Sequence, residues 1–253
     1  MSDPSRDMEI EIERTIDKSV LQKAPFDHVY LQDVFSERQY LDILSNLPES
    51  NIYREFKHPD ALRPDGSSTR LRVFLYPEML GFLPPRSRQT WRAVSKALRS
   101  TRVQAAFKRK FRAALEARFG RKVETLSFHA NLILVRDLPG YRIAIHADTY
   151  TKAITVQFYL PRDAAQAHLG TVFHYGETGD AAAQTKALQF VPACGYAFPV
   201  QPSESWHSVP TTRDEDGERN SLMLTYYVKG GPIGALKRLR QRANEFGAKL
   251  LGR

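Results

Sequence analysis

Two histidines and an aspartate have the types and spacing of a metal site. His146 and Asp148 are one residue apart at the end of an alternating apolar run, and His207 follows in a later run. Two imidazole nitrogens and one carboxylate oxygen can occupy one face of an octahedron, an arrangement that suits Fe(II) and leaves three positions open. The same residues could also be an acid–base pair, or only the polar end of a hairpin.

An arginine and a serine begin the run that follows His207. Side chains alternate along a strand, so Arg219 and Ser221 share one face, which points inward if the run belongs to a small barrel. A buried arginine needs a carboxylate or a similar partner, and no carboxylate on a neighbouring strand is an obvious mate. A small dicarboxylic acid that also chelates the metal would satisfy the arginine, and 2-oxoglutarate is such an acid.

Short apolar runs separated by turn residues must position these side chains. After Lys122 the chain is rich in Val, Ile, Phe, Tyr and Thr, a pattern that predicts successive strands without intervening helices. The predicted strands cover 124–136, 141–147, 153–160, 170–174, 186–190, 195–199, 205–209 and 219–228. Such a succession is typical of a sandwich, a jelly roll or a barrel.

Helical patterns flank the predicted β region. We divide the chain into a polar lead-in over 1–24, a single domain over 25–229 and a basic amphipathic helix over 230–253. Within the domain, 25–121 is predicted to be helical support and 122–229 to be the β core. The C-terminal helix could pack on this core or lie on an anionic membrane surface.

Composition indicates a globular protein. The chain has 253 residues, of which 42% are hydrophobic and 11% aromatic, and this composition excludes a disordered chain. The single cysteine, Cys194, excludes an internal disulfide and fits a reducing compartment. No apolar run approaches the roughly 20 residues of a membrane-spanning helix, and the polar start argues against a signal peptide. We therefore expect a cytoplasmic protein.

Positive charge is concentrated in two regions. The formal net charge is +9, and Glu116 is the single acid between Arg86 and Lys122, while Lys and Arg again dominate after Lys229. A basic surface attracts anionic partners such as lipid headgroups or acidic substrates, although a solvated helix face is the simpler interpretation. No interleaving of aromatic and basic residues signals nucleic-acid binding.

Taken together, these motifs resemble the 2-oxoglutarate/Fe(II)-dependent dioxygenases, and they are most similar to the prolyl-hydroxylase-like branch. The matching residues are HAD at 146–148, WHS at 206–208 and RNS at 219–221. LVRDLPGYRIAIHAD resembles the strand–turn–strand segment before the first metal ligand, and TVQFYL at 155–160 resembles a later strand of that branch. The resemblance implies a mainly β fold with flanking helices, in which a double-stranded β-helix (a cupin-like jelly roll) is supported by N-terminal helices.

The resemblance also implies residue roles. The implied Fe(II) ligands are His146, Asp148 and His207, and the implied contacts to 2-oxoglutarate are Arg219, Ser221 and Tyr159. Relatives often have Tyr or Asn on the strand before the turn to help hold 2-oxoglutarate, whereas this chain has Val135 and Asp137 there. Candidate substrate contacts are Asn131, Lys152 and Arg72.

The implied activity is hydroxylation of an unactivated C–H bond with O2, while 2-oxoglutarate is converted to succinate and CO2 and ascorbate can support turnover. Asp148 occupies the position of a small residue in halogenating relatives, so hydroxylation is implied rather than halogenation. The substrate stays open among a small or carrier-bound molecule, a glycan, a lipid headgroup and a peptide, with an anionic one favoured by the net charge. The alternative is a non-catalytic, cupin-like binding module that engages an anionic partner through its basic faces.

Overall fold

Antiparallel strands form the centre of the computed structural model, which describes residues 3–177, 185–229 and 231–251. The strands are β1 (Val29–Leu31), β2 (Arg54–Glu55), β3 (Arg70–Phe74), β4 (Phe128–Asp137), β5 (Ile143–Ala147), β6 (Lys152–Leu160), β7 (Val172–His174), β8 (Lys186–Ala187), β9 (Gly195–Pro199), β10 (Trp206–Val209) and β11 (Arg219–Val228). Within the described residues they make a seven-stranded sheet, ordered β1-β9-β6-β11-β4-β3-β2, and a four-stranded sheet, ordered β5-β10-β7-β8.

Each predicted strand of the second half of the chain corresponds to one of the strands β4 to β11, with ends shifted by a few residues. The segment 25–121, predicted as helical support, also contributes β1, β2 and β3 to the larger sheet. These strands are short, and they lie at or near the edges of the sheet. Short runs of this kind give a weak alternation signal.

Helices cover the outer face of the larger sheet. They are α1 (Pro4–Lys18), α2 (Glu37–Ser45), α3 (Pro85–Leu98), α4 (Thr101–Lys110) and α5 (Arg112–Phe119), and the chain ends with α6 (Gly231–Leu250). Ser36 and Gln39 form a reciprocal capping box at the start of α2, and Gly120, with φ of 59°, ends α5. Trp91 and Phe107 of this layer share one apolar core with Leu134 and Leu224 of the sheet.

The segment predicted as a polar lead-in is instead part of the core. Met8, Ile12 and Ile16 lie one turn apart on α1, and all are buried in the main apolar cluster. The acids of α1 also pair with the basic residues of α4: Glu13 lies 2.5 Å from Arg102 and 3.0 Å from Arg109. Part of the positive charge that the sequence places on α4 is therefore neutralised by α1.

The register of β11 decides which side chains face the smaller sheet. Arg219 lies opposite Asp137 of β4, and Ser221 lies opposite Val135 on one side and Tyr159 of β6 on the other. These residues share the inner face of the larger sheet, because residues opposite each other in a ladder point the same way. The space between the sheets is lined by aromatic rings, which include Tyr159, Phe173, Phe190, Tyr196 and Phe198.

The C-terminal helix α6 packs on the inner face of the larger sheet, on the part formed by β3 and β4. Phe246 of α6 contacts Phe82, with ring centroids 5.3 Å apart, and joins the cluster that contains Phe74 and Ile133. Arg242 binds Glu78 through two contacts of 2.6 Å. Within the described part of the chain, none of the helices combines the length and the apolar character that crossing a membrane requires.

Candidate metal centre

Adjacent strands bring the two histidines together. β5 and β10 are antiparallel neighbours, and their register places His146 directly opposite His207. The two ring centroids are 4.3 Å apart, and Asp148 follows immediately after the end of β5. One ligand atom from each of these three residues lies within 4.8 Å of the other two, so a single ion could contact all three.

Backbone carbonyls fix the orientation of both rings. His146 Nδ1 lies 3.0 Å from the carbonyl oxygen of Ala144, and His207 Nδ1 lies 3.0 Å from that of Ser205. A carbonyl oxygen only accepts hydrogen bonds, so each Nδ1 carries the proton and donates it. Each Nε2 is then unprotonated, which is the state that binds a metal.

Asp148 is held in its charged form by its neighbours. Thr155 Oγ1 donates to Asp148 Oδ2 at 2.5 Å, and the ammonium of Lys152 donates to the other carboxylate oxygen. Burial alone would raise the pKa of Asp148, but Lys152, His207 and these hydrogen bonds lower it to about 2. Burial also lowers the pKa of His207 to about 4. At neutral pH the site therefore offers a carboxylate and a neutral imidazole, and this donor set fits Fe(II).

Arg219 has a carboxylate partner that the sequence analysis did not identify. Its Nη1 lies 2.8 Å from Asp137 Oδ2, and both side chains are fully buried. Its Nε donates to the carbonyl oxygen of Leu169 at 2.9 Å. The expectation that no neighbouring strand carries a mate was therefore wrong, because Asp137 lies directly across the ladder from Arg219. Asp137 also contacts Arg70 Nε at 3.2 Å.

One nitrogen of the Arg219 guanidinium has no partner among the described residues. Its Nη2 is buried without a hydrogen-bond partner among the described residues, and its guanidinium lies 5.8 Å from the ring centroid of Tyr159. The Tyr159 hydroxyl accepts a hydrogen bond from the backbone N–H of Thr171 at 3.1 Å, which leaves its own proton for an acceptor. The structure thus brings Arg219 and Tyr159 together as donors.

Ser221 takes part in a buried polar chain. Its hydroxyl accepts a hydrogen bond from Gln157 Nε2 at 2.8 Å, and Gln157 Oε1 accepts one from the Tyr196 hydroxyl at 2.9 Å. Gln157 and Tyr196 were not predicted as site residues. Gln157 shares a strand face with Tyr159 by simple alternation, so its inward direction could be predicted, but its partners depend on the sheet register.

The three candidate substrate residues lie in different surroundings. Lys152 contacts Asp148 and therefore borders the metal centre. Asn131 lies on the inner face, where its Oδ1 accepts a hydrogen bond from the Tyr76 hydroxyl at 2.7 Å. Arg72 is bound by Glu245 of α6 at 2.8 Å, so its charge is already paired in the contact between α6 and the sheet.

Comparison with known proteins identifies the fold. No protein-family model matches the chain, and no curated protein sequence matches it. A prolyl hydroxylase from Trichoplax adhaerens, solved with a peptide of the hypoxia inducible factor oxygen degradation domain, superimposes with a TM-score of 0.54 and 10% identity, covering 88% of this chain and 90% of that one. A prolyl-4-hydroxylase from Pseudomonas putida superimposes with a TM-score of 0.50 and 12% identity, covering 87% of this chain and 99% of that one. The predicted fold class is confirmed: the chain has a mainly β fold with flanking helices, the double-stranded β-helix that these two prolyl hydroxylases share.

Proposed function

We propose that the protein is an Fe(II)- and 2-oxoglutarate-dependent dioxygenase that hydroxylates an unactivated C–H bond and releases succinate and CO2. The observation that carries the proposal is the convergence of His146, Asp148 and His207, whose ligand atoms lie within 4.8 Å of one another. The fold shared with prolyl hydroxylases agrees with the proposal. The site carries the proposal, because one fold can host many functions.

Residues of the chain would bind, orient and shield the reactants. Iron, 2-oxoglutarate and O2 together supply an oxidative decarboxylation coupled to hydroxylation. The free Nη2 of Arg219 and the hydroxyl of Tyr159 would hold the far carboxylate of 2-oxoglutarate through charge-assisted hydrogen bonds. Phe198, whose ring centroid lies 5.1 Å from that of His207, keeps water from one side of the centre, which strengthens these interactions.

The substrate would approach the centre along the inner face that α6 borders. Lys152 lies beside the metal ligands, but its ammonium is paired with Asp148, so the preference for an anionic substrate rests on the net charge of +9. Asn131 and Tyr76 offer a polar pair on the same face. A small or carrier-bound anionic molecule fits these features, and glycan, lipid-headgroup and peptidyl substrates are alternatives that substrate screening would separate.

The alternative function is a non-catalytic cupin-like module that binds an anionic partner through basic faces. The pairing of Arg102 and Arg109 with Glu13 weakens it, because these cations of α4 are already matched by acids of α1. The fully buried Arg219, with an unpartnered Nη2 among the described residues, points instead to a ligand inside the fold.

Calorimetry with Mn(II) in place of Fe(II), followed by N-oxalylglycine as an unreactive analogue of 2-oxoglutarate, tests the proposal. We expect binding of one metal ion, then metal-dependent binding of the analogue, and loss of both in His146→Ala. Turnover would then be followed as succinate formation with Fe(II), ascorbate and candidate substrates. A protein that binds neither the metal nor the analogue would favour the binding module.

We also propose that α6 contacts an anionic membrane surface. Leu236 and Leu239 are 68% and 65% exposed, and they precede the part of the helix that docks through Glu245 and Phe246. The helix carries five Lys or Arg residues and one Glu. Exposed leucines on a basic helix are the combination that binds at the interface of an anionic bilayer.

A further inference from the structure

The inner face of the larger sheet buries two arginines around one aspartate. Arg219 and Asp137 are fully buried, and Arg70 is 7% exposed. The Asp137 carboxylate lies 2.8 Å from Arg219 Nη1 and 3.2 Å from Arg70 Nε. Two guanidinium groups and one carboxylate leave one positive charge without a partner inside the fold.

Several atoms of this cluster lack hydrogen-bond partners within the described residues. They are Arg219 Nη2, Arg70 Nε, Asp137 Oδ1 and the hydroxyl of Tyr141. The contact between Arg70 and Asp137 is therefore close in distance but not aligned as a hydrogen bond, so Arg70 acts on the carboxylate by its charge. Buried polar groups are normally satisfied, and the unpartnered donors indicate that a further acceptor belongs at the cluster.

The aromatic surroundings hold the guanidinium groups in place. Arg219 lies over the ring of Phe190 at 4.6 Å, and Arg70 lies over the ring of Tyr141 at 5.0 Å. These contacts stabilise a cation without neutralising it. Burial raises the pKa of Asp137, and the two guanidinium groups oppose that rise. The two guanidinium groups in contact with the carboxyl stabilise its ionised form.

We propose that Arg70 is a positioning residue that makes this pocket selective for an acid with a second carboxylate. Asp137 cancels the charge of Arg219, and Arg70 restores one net positive charge to the cluster, which matches the single charge of the far carboxylate of 2-oxoglutarate. Without Arg70 the incoming carboxylate would meet a neutral Arg219–Asp137 pair and the nearby charge of Asp137. This inference rests on the proposed function.

Charge removal and restoration test this role. The measurement is the affinity of Mn(II)-loaded protein for N-oxalylglycine by calorimetry, in the wild type, Arg70→Met, Arg70→Lys and the double variant Arg70→Met with Asp137→Asn. We expect Arg70→Met to weaken binding at least about tenfold, since like-charge juxtaposition costs more than the 1.4 kcal/mol that a tenfold change represents. Arg70→Lys should recover most of the affinity, because it keeps the charge.

The double variant separates charge from structure. It again leaves one net positive charge, on Arg219, so we expect it to bind the analogue more tightly than Arg70→Met does, with Mn(II) affinity the same in all variants. Equal analogue affinity in the wild type and Arg70→Met, or no recovery in the double variant, would overturn the inference and leave the proposed function standing. Failure of the wild type to bind the analogue would instead overturn the proposed function, and the role of Arg70 with it.

Discussion

His146 and His207 lie directly opposite each other on β5 and β10, with ring centroids 4.3 Å apart. The strand pair fixes their spacing, and the carbonyl oxygens of Ala144 and Ser205 fix the ring orientations. Asp148 completes the set from the end of the same strand as His146. The centre is therefore built by the smaller sheet, while the larger sheet supplies the residues that support it and the arginine cluster.

Replacing His207 by alanine should abolish binding of a divalent metal, because two ligands on one side of an ion hold it much more weakly than three. Titration with Mn(II) or Co(II) in a calorimeter measures this directly. His174→Ala is the matched control: His174 lies on β7 opposite Trp206, and its Nε2 pairs with Ser208 at 2.8 Å. Retained binding in His207→Ala, or lost binding in His174→Ala, would contradict the assigned ligands.

Thr155→Val should weaken metal binding while all three ligands remain. The valine cannot donate to Asp148, whose carboxylate would then lose the 2.5 Å contact that orients it. Loss of such a supporting hydrogen bond typically costs about 10- to 100-fold in metal affinity. Thr90→Val removes a comparable hydrogen bond, the 2.8 Å contact with Asp42 in the helical layer, and should leave metal affinity unchanged. Equal affinities in the two variants would assign Thr155 to packing alone.

Lys152→Met should tighten metal binding. The ammonium of Lys152 neutralises the Asp148 carboxylate, and a cation beside the site also repels an incoming metal ion. Lys152→Arg keeps the charge and should behave like the wild type. Metal titration of the three proteins checks the order, and weaker binding in Lys152→Met would show that the lysine orients the carboxylate rather than competing with the metal.

The sequence predicted the residues of the candidate metal centre because they follow local rules. His146 and Asp148 stand at a strand end, and alternation directs Arg219 and Ser221 inward. Asp137 was not recognised as the partner of Arg219, because the register between β4 and β11 joins residues far apart in the chain. The helix α1 was missed for a different reason. Its buried residues recur every four positions among acidic ones, a signal that was present but was hidden by the overall polarity.

The stability of the protein should decrease as the pH falls below about 6.5, and His28 should account for part of the decrease. His28 is buried beside Phe173, with ring centroids 4.9 Å apart, and burial lowers its pKa below the ordinary value of 6.5. Between the folded and unfolded pKa values of His28, the unfolded chain binds one proton more than the folded chain. The contribution of His28 to the free energy of unfolding therefore rises with pH in this range and is constant above 6.5.

Urea unfolding at several pH values, for the wild type and His28→Gln, isolates this effect. Glutamine does not titrate and can still donate to the carbonyl oxygen of Phe26, which His28 Nδ1 contacts at 2.8 Å. The variant should show a shallower decrease, by up to about 1.4 kcal/mol per pH unit. His207, whose pKa burial lowers to about 4, contributes in both proteins. Parallel curves would exclude His28 as a source of the acid sensitivity.

Binding of α6 to membranes should depend on its exposed leucines. Deleting the helix is a poor test, because Phe246 packs against the inner-face cluster and its loss would expose apolar residues that bind lipid nonspecifically. Leu236→Glu with Leu239→Glu changes only exposed residues, and we expect it to abolish flotation with liposomes that contain anionic lipid. Leu41→Glu, at a residue of α2 that is 56% exposed, is the matched control and should float like the wild type. If the double variant instead converts a dimer to a monomer in light scattering while the wild type never floats, the exposed leucines bind a second copy of the chain and the membrane proposal is wrong.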